Sequence, residues 1–321
     1  MKIKKLHIQN YKSLVDLEII EPNPFTVFAG PNGAGKSNIF EALEFIHNFY
    51  ILGFEFTQRM FGSIDTLKSY RSEKNTLQFE IQFNNDSIRG TGDYNTNEET
   101  PYSILEEGEK DDKDIYEYRV GYSRLFINKE SERTSVSSLD LDFNASNLES
   151  ALKKVLKKES AHEFIEWVRL FVPGLENIQV NYDNIGGTDT LLIFEKASNK
   201  PFPKSLISDG TYNILSLLTA VYQSEKPQFL CIEEPENGLN PYVIRTLVDF
   251  FRKQCAEKGH YIWLNTHSQT LVKYLQPEEL ILVDKIDGET HIKQFPKDYN
   301  LHGLELDEAW LSNALGGGVP W

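Results

Sequence analysis

The chain has 321 residues, 40% of them hydrophobic and 25% charged, with a net charge of −15 and two cysteines. These values fit a globular chain with a buried core and exclude both a disulfide scaffold and a surface that is basic throughout, as a general grip on nucleic acid would need. No run of about eighteen apolar residues occurs, and MKIKKLHIQNYKSL has no apolar stretch behind its basic residues, so neither a membrane span nor a secretory signal is expected and the protein is placed in the cytoplasm.

Residues 2–29 read as strands KIKKLHIQN, VDLEII and FTVFAG, followed by a glycine-rich loop and a helix, SNIFEALEFIHNFYIL, with apolar residues at helical spacing. From residue 76 the pattern changes to alternating runs, TLQFEIQF and IYEYRVGYSRLFI, which predict a β-rich arm. The polar, acidic stretch between them, NNDSIRGTGDYNTNEETPYSILEEGEKDDKD, reads as an exposed loop. Residues 146–171 read as one or two helices opened by a Ser/Asn cap, and VPGLENIQVNYDNIGGTDTLLIFEK as a hairpin with a Gly-Gly turn. After residue 205 helices alternate with strands at 229–233, 261–265 and 280–284, the pattern of a parallel sheet covered by helices. Any nucleic-acid contact falls to local basic patches, KIKK at 2–5 and KKVLKK at 153–158, which read first as a solvated strand end and a solvated helix face.

FAGPNGAGKSN carries the chemistry. Gly30, Gly35, Lys36 and Ser37 fit G-x-x-x-x-G-K-[ST] between an apolar strand and a helix, the context in which backbone N–H groups wrap phosphate and the helix turns its positive end toward the same anion. Lys36 is expected to reach the β- and γ-phosphates of ATP and Ser37 to bind Mg²⁺. FLCIEE supplies a buried strand with two glutamates at its carboxyl end. Glu233 suits the Mg²⁺ shell, and Glu234 suits a general base toward the attacking water. Two further features stand out. Ser208, Asp209 and Gly210 open an apolar helix and offer a second anion site, and His267 follows a buried strand. Asp284 and Asp287 fit a D-G hairpin turn better than a metal site.

The order GPNGAGKS, SDGT, EEPENGLNP, THS resembles the ABC-class ATPases, and within them the RecF, SMC/Rad50 and OLD-type branch. IKKLHIQNYKSL is similar to that branch's first strand. The resemblance covers residues 1–50 and 205–295. It implies an α/β P-loop NTPase of ABC type in two lobes: lobe one at 1–75, a β-rich arm and short helical lid at 76–204, lobe two at 205–295 and a tail at 296–321. Asn32, Gly33, Ala34, Gly35, Lys36, Ser37 and Asn38 would hold ATP, with Lys12 approaching from the first strand. It further implies a head-to-tail homodimer in which Ser208, Asp209 and Gly210 close over the other copy's ATP, Asn237 to Asn240 form the D-loop, with Asn240 where the family often has Asp, and His267 senses the γ-phosphate. No TOPRIM nuclease pattern follows His267. The expected role is therefore an ATPase that switches a separate effector, a nuclease or toxin, in anti-phage defence; the alternative is a DNA-end or repair clamp. The GGGVPW tail reads as irregular, either packed back on the core or presenting its tryptophan to a partner.

Overall fold

β1 (Lys5–Tyr11), β2 (Leu14–Ile20) and β3 (Phe25–Ala29) lead into α1 (Lys36–Leu52). Two short helices, α2 (Phe54–Phe61) and α3 (Ile64–Leu67), precede β4 (Thr76–Gln82), β5 (Ser87–Asp93) and β6 (Tyr102–Glu107). α4 (Lys113–Gly121) runs directly into β7 (Tyr122–Leu125). α5 (Leu148–Val155) and α6 (Ala161–Phe171) come before the hairpin of β8 (Leu175–Asp183) and β9 (Thr188–Glu195), and before the two-residue β10 (Phe202–Pro203). The chain then alternates through α7 (Asp209–Tyr222), β11 (Phe229–Glu233), α8 (Pro241–Lys258), β12 (Tyr261–Thr266) and α9 (Gln269–Val272). It closes with β13 (Leu280–Ile286), β14 (Glu289–Gln294) and α10 (Leu306–Leu311). These elements come from a computed structural model that describes residues 1–94, 102–107, 113–127, 141–183 and 187–318.

Three sheets organise the described residues. The central one has the order β14-β13-β3-β12-β11-β7, parallel except for the β13–β14 pair. Its inner strands are apolar on both sides, as a sheet covered on both faces requires. Phe28, Cys231, Trp263 and Val283 face one core, which α1 shares with the antiparallel sheet β2-β1-β4-β5-β6. Val27, Ile232, Leu264 and Leu282 face the other, shared with α5, α6, α7 and α8. The hairpin β8–β9 and β10 form the third sheet. Both cysteines are buried and free, and no described helix is long and apolar enough to cross a membrane.

Two expectations are corrected. The run IYEYRVGYSRLFI is not an arm strand: its first half is α4 and its second half is β7, which pairs with β11 in the central sheet. Ile115 and Tyr118 are buried one helical turn apart, so the alternation concealed a helical face. The expected loop after residue 83 contains β5 and β6, which extend the antiparallel sheet; 95–101 and 108–112 lie outside the described residues. So do 184–186, at the expected Gly-Gly turn, and 319–321 with the terminal tryptophan. Residues 316–318 pack back: the Gly318 N–H donates to Asp284 Oδ1 at 2.7 Å, and Trp310 Nε1–H donates to the Gly318 carbonyl at 2.8 Å.

His47 on α1 gives the fold a pH dependence. Its Nε2–H donates to the Arg119 carbonyl at 2.9 Å, and its ring lies 4.9 Å from that of Tyr122. Burial lowers its pKa from 6.5 to about 4, and burial does the same to His260. As pH falls below the unfolded value the unfolded chain takes up the proton first. The stability each neutral ring contributes is therefore fully present above pH 6.5 and is lost toward pH 4. At pH 5 each costs about 2 kcal/mol. Urea unfolding between pH 7 and pH 5 should show this fall, and His47→Gln should remove roughly half of the slope.

Candidate functional site

The register of the central sheet brings the separated motifs to one edge. Ala29, the last residue of β3, pairs with Thr266 of β12, and Asn265 beside it pairs with Glu233 of β11. The carboxyl ends of these three adjacent strands are where an open α/β sheet holds its ligand.

The loop from Gly30 to α1 forms a cradle. Gly35 has φ 104°, a left-handed conformation that side chains disfavour, and a Cβ there would lie 2.0 Å from Thr290 Oγ1. The loop is braced from behind. Thr290 Oγ1–H donates to the Ala34 carbonyl at 2.9 Å and lies 2.6 Å from Ser13 Oγ, while Asn38 Nδ2–H donates to Ser13 Oγ at 2.7 Å. Lys36 Nζ donates to the Gly30 and Pro31 carbonyls at 2.7 and 3.0 Å. Burial lowers the Lys36 pKa, against the opposing pull of Glu234, Glu236 and Glu233. The cradle opens on a cleft of 280 Å³. Asn32, Gly33, Gly35, Lys36, Ser37 and Asn38 line it from the loop side, and Glu234, Asn265 and Lys285 from the strands.

Glu233 is fixed on both oxygens. Ser37 Oγ–H and Asn265 Nδ2–H donate to its Oε2 at 2.7 and 3.1 Å. Arg124 of β7 donates to Oε1 through Nε at 2.7 Å and also through an Nη, and its other Nη donates to Glu44 Oε2 at 2.8 Å. With its hydroxyl hydrogen committed to Glu233, Ser37 keeps its lone pairs for a cation. A hydroxyl, a carboxylate and ligand phosphates make the hard oxygen set Mg²⁺ prefers, with no all-protein cage needed. No cluster of three or more His, Cys, Asp or Glu able to hold a metal occurs among the described residues.

Glu234 holds φ 47°, unusual for a residue with a side chain. Its N–H donates to the Asn265 carbonyl at 3.0 Å and to Asn265 Oδ1 at 3.2 Å, which sustains the conformation. The carboxylate lines the cleft while accepting from Asn237 Nδ2 at 2.9 Å and lying 3.5 Å from His267 Nδ1. A carboxylate held at the cleft mouth beside an imidazole can accept a proton from water and keep its orientation.

Other residues sit elsewhere. Ala34 is buried beneath the loop, and Lys12 pairs with Glu41 of α1; neither lines the cleft. Ser208 caps α7, accepting from the Thr211 N–H at 3.2 Å, with Asp209 in the helix's first turn. Ser208 and Gly210 line a separate groove with Gly238, Leu239 and Asn240. Asn240 caps α8, accepting from the Val243 N–H at 3.0 Å.

Sequence reasoning missed Arg124, Asn265, Lys285 and the brace of Ser13 and Thr290. Arg124 alone left a trace: an arginine in the short segment YSRL, which the structure buries at all four positions, and such a cation needs carboxylate partners.

Residues 25–273 match the family described as "AAA domain, putative AbiEii toxin, Type IV TA system". The chain belongs to this family. The matched AAA domain makes it an ATPase. It is 21% identical over 334 aligned residues to an ATP/GTP phosphatase of Helicobacter pylori, a match covering 85% of this chain and 87% of that protein. Its fold is that of Smc heads. One, bound to the C-terminal winged-helix domain of ScpA, superposes with a TM-score of 0.66 at 17% identity, covering 93% of this chain and 98% of that one. A second, the Pyrococcus furiosus Smc head bound to the C-terminal domain of ScpA, gives 0.61 at 16% identity and covers 98% of each chain.

Proposed function

We propose that this ATPase closes head to tail with a second copy on binding ATP and Mg²⁺, and by opening after hydrolysis switches a separate effector. The observation that carries the reading is a separation. The residues of the phosphate loop, Glu233, Glu234 and His267 cluster at one sheet edge. The exposed start of α7 at Ser208 lines a different groove, beside the turn at Gly238. A helix start with free N–H groups offers a complement to an anion held by another copy.

In this reading Lys36 and the loop N–H groups bind the phosphates, and Ser37 and Glu233 hold Mg²⁺. The ion neutralises charge on the phosphates. Glu234 orients and deprotonates the attacking water, and His267 responds to the γ-phosphate. Ser208, Asp209 and Gly210 of the second copy close the site, with Asn237 to Asn240 crossing the interface. Lobe one spans 1–75, the arm and lid 76–204, lobe two 205–295 and the tail 296–321.

A defence setting is supported by the toxin–antitoxin description of the matched family, and a partner-binding head by the ScpA-bound Smc structures it resembles. Direct DNA binding gains little support. Lys4 and Lys5 pair with Glu21 and Glu18, Lys153 pairs with Asp189, and Lys158 donates to the Tyr222 and Gln223 carbonyls.

The test is Glu234→Gln. Removing the base while keeping shape should lower turnover about 100-fold or more and leave binding intact. Light scattering with ATP and Mg²⁺ should then show twice the monomer mass. A Glu234→Gln variant that binds ATP yet stays monomeric at saturation contradicts the closed dimer.

A further inference from the structure

The phosphate cleft holds a cation that its motifs leave unexplained. Lys285 lines the cleft together with the loop residues, yet its side chain makes no ion pair or hydrogen bond with any described residue. In a chain with 48 acidic residues against 33 basic ones, carboxylates are plentiful. Lys4, Lys5, Lys204 and Lys258 each find one.

The backbone of Lys285 is held against the cradle. β13 pairs with β3 as far as Ala29 and runs on beside the phosphate loop, so close that a Cβ on Gly30 would lie 2.1 Å from the Val283 carbonyl oxygen. Lys285 pairs in register with Thr290, whose hydroxyl is bonded to the Ala34 carbonyl within the loop. Asp287 at φ 51° and Gly288 at φ 88° close the hairpin with the two left-handed residues of a tight turn. The hairpin thus brings to the lining of the anion cradle an exposed lysine whose side chain pairs with no described residue.

We propose that Lys285 is a second cation for the phosphate chain of the bound nucleotide, acting in the same subunit as Lys36. The proposal rests on the reading of the cleft as the nucleotide site. The two lysines differ in anchorage. Lys36 is tied to the loop by the Gly30 and Pro31 carbonyls, whereas Lys285 arrives from a strand outside it. A phosphate oxygen bound by Lys285 links the β13–β14 hairpin to the nucleotide. A lysine on a flexible stem suits this task as a point charge.

Isothermal titration with ATP and with inorganic tripolyphosphate, both with Mg²⁺, separates the outcomes. Lys285→Ala should weaken both ligands about tenfold. Lys285→Glu should weaken them further and Lys285→Arg should restore near-normal binding. The melting temperature should stay unchanged in all of them, because the side chain bonds to no described residue. If wild type binds ATP and the Ala and Glu variants bind both ligands equally well, Lys285 has no such role and the nucleotide site stands. Loss for ATP without loss for tripolyphosphate assigns the lysine to the nucleoside half and overturns the proposal. A wild-type chain that binds neither ligand overturns the reading of the cleft, and this proposal with it.

Discussion

Replacing Arg124 with alanine is expected to destabilise the chain by about 3–5 kcal/mol, because it strands a buried carboxylate. The Arg124 and Glu233 side chains are 4% and 1% exposed. Burial works against the guanidinium charge, but Glu233 and Glu44 overcome it and raise its pKa, and the Phe143 ring lies 5.3 Å from the group. Without Arg124, Glu233 keeps only the Ser37 and Asn265 donors on Oε2 and loses those on Oε1. Chemical denaturation of Arg124→Ala, Glu233→Gln and the double variant tests this. The double variant should recover at least 1 kcal/mol relative to the sum of the singles, because neutralising the carboxylate removes the stranded charge. A single-variant cost below about 1 kcal/mol would contradict the account, since that is the range of an exposed pair.

Lys36→Ala is the second large effect. With the loop holding the nucleotide as proposed, removing the Lys36 ammonium group should lower phosphate release to about one-hundredth of wild type or less. The chain itself should lose only about 1–2 kcal/mol of stability, the net value of the bonds to the Gly30 and Pro31 carbonyls. Colourimetric phosphate release beside thermal melting separates the two. Wild-type turnover in the alanine variant would place the phosphate site elsewhere.

The strand–loop–helix at FAGPNGAGKSN and the buried strand FLCIE were legible because each is a contiguous stretch with a local pattern of its own. Arg124 was not, because its role exists only once β7 lies beside β11. Lys285 and Thr290 reach the loop through strand pairing, and Ser13 through its hydroxyl from the β1–β2 turn, contacts that no local pattern announces. SIRGTGD has the composition of a turn, which conceals β5. Gly90 and Gly92 instead make room for aromatic rings: a Cβ on them would lie 2.2 Å from Phe79 and 2.3 Å from Phe54. The tyrosines of α4 alternate with charge, as in a strand, over a span too short to separate the two periods. The alternation of helix and strand after residue 205 was clear, since α7, β11, α8 and β12 each carry a strong apolar pattern.

The central claim is that each ATP site is shared between two copies, and mixing two inactive variants tests it most directly. Lys36→Ala lacks the phosphate lysine but keeps the start of α7. Ser208→Arg blocks that start, at about 1 kcal/mol for the lost cap, but keeps Lys36. In a head-to-tail hybrid, Lys36 of one copy meets Ser208 of the other, so one site is intact. Each variant alone should be inactive and an equimolar mixture should regain phosphate release, up to about one quarter of wild type if the copies pair at random and the sites act independently. A mixture no more active than either variant would contradict the shared site.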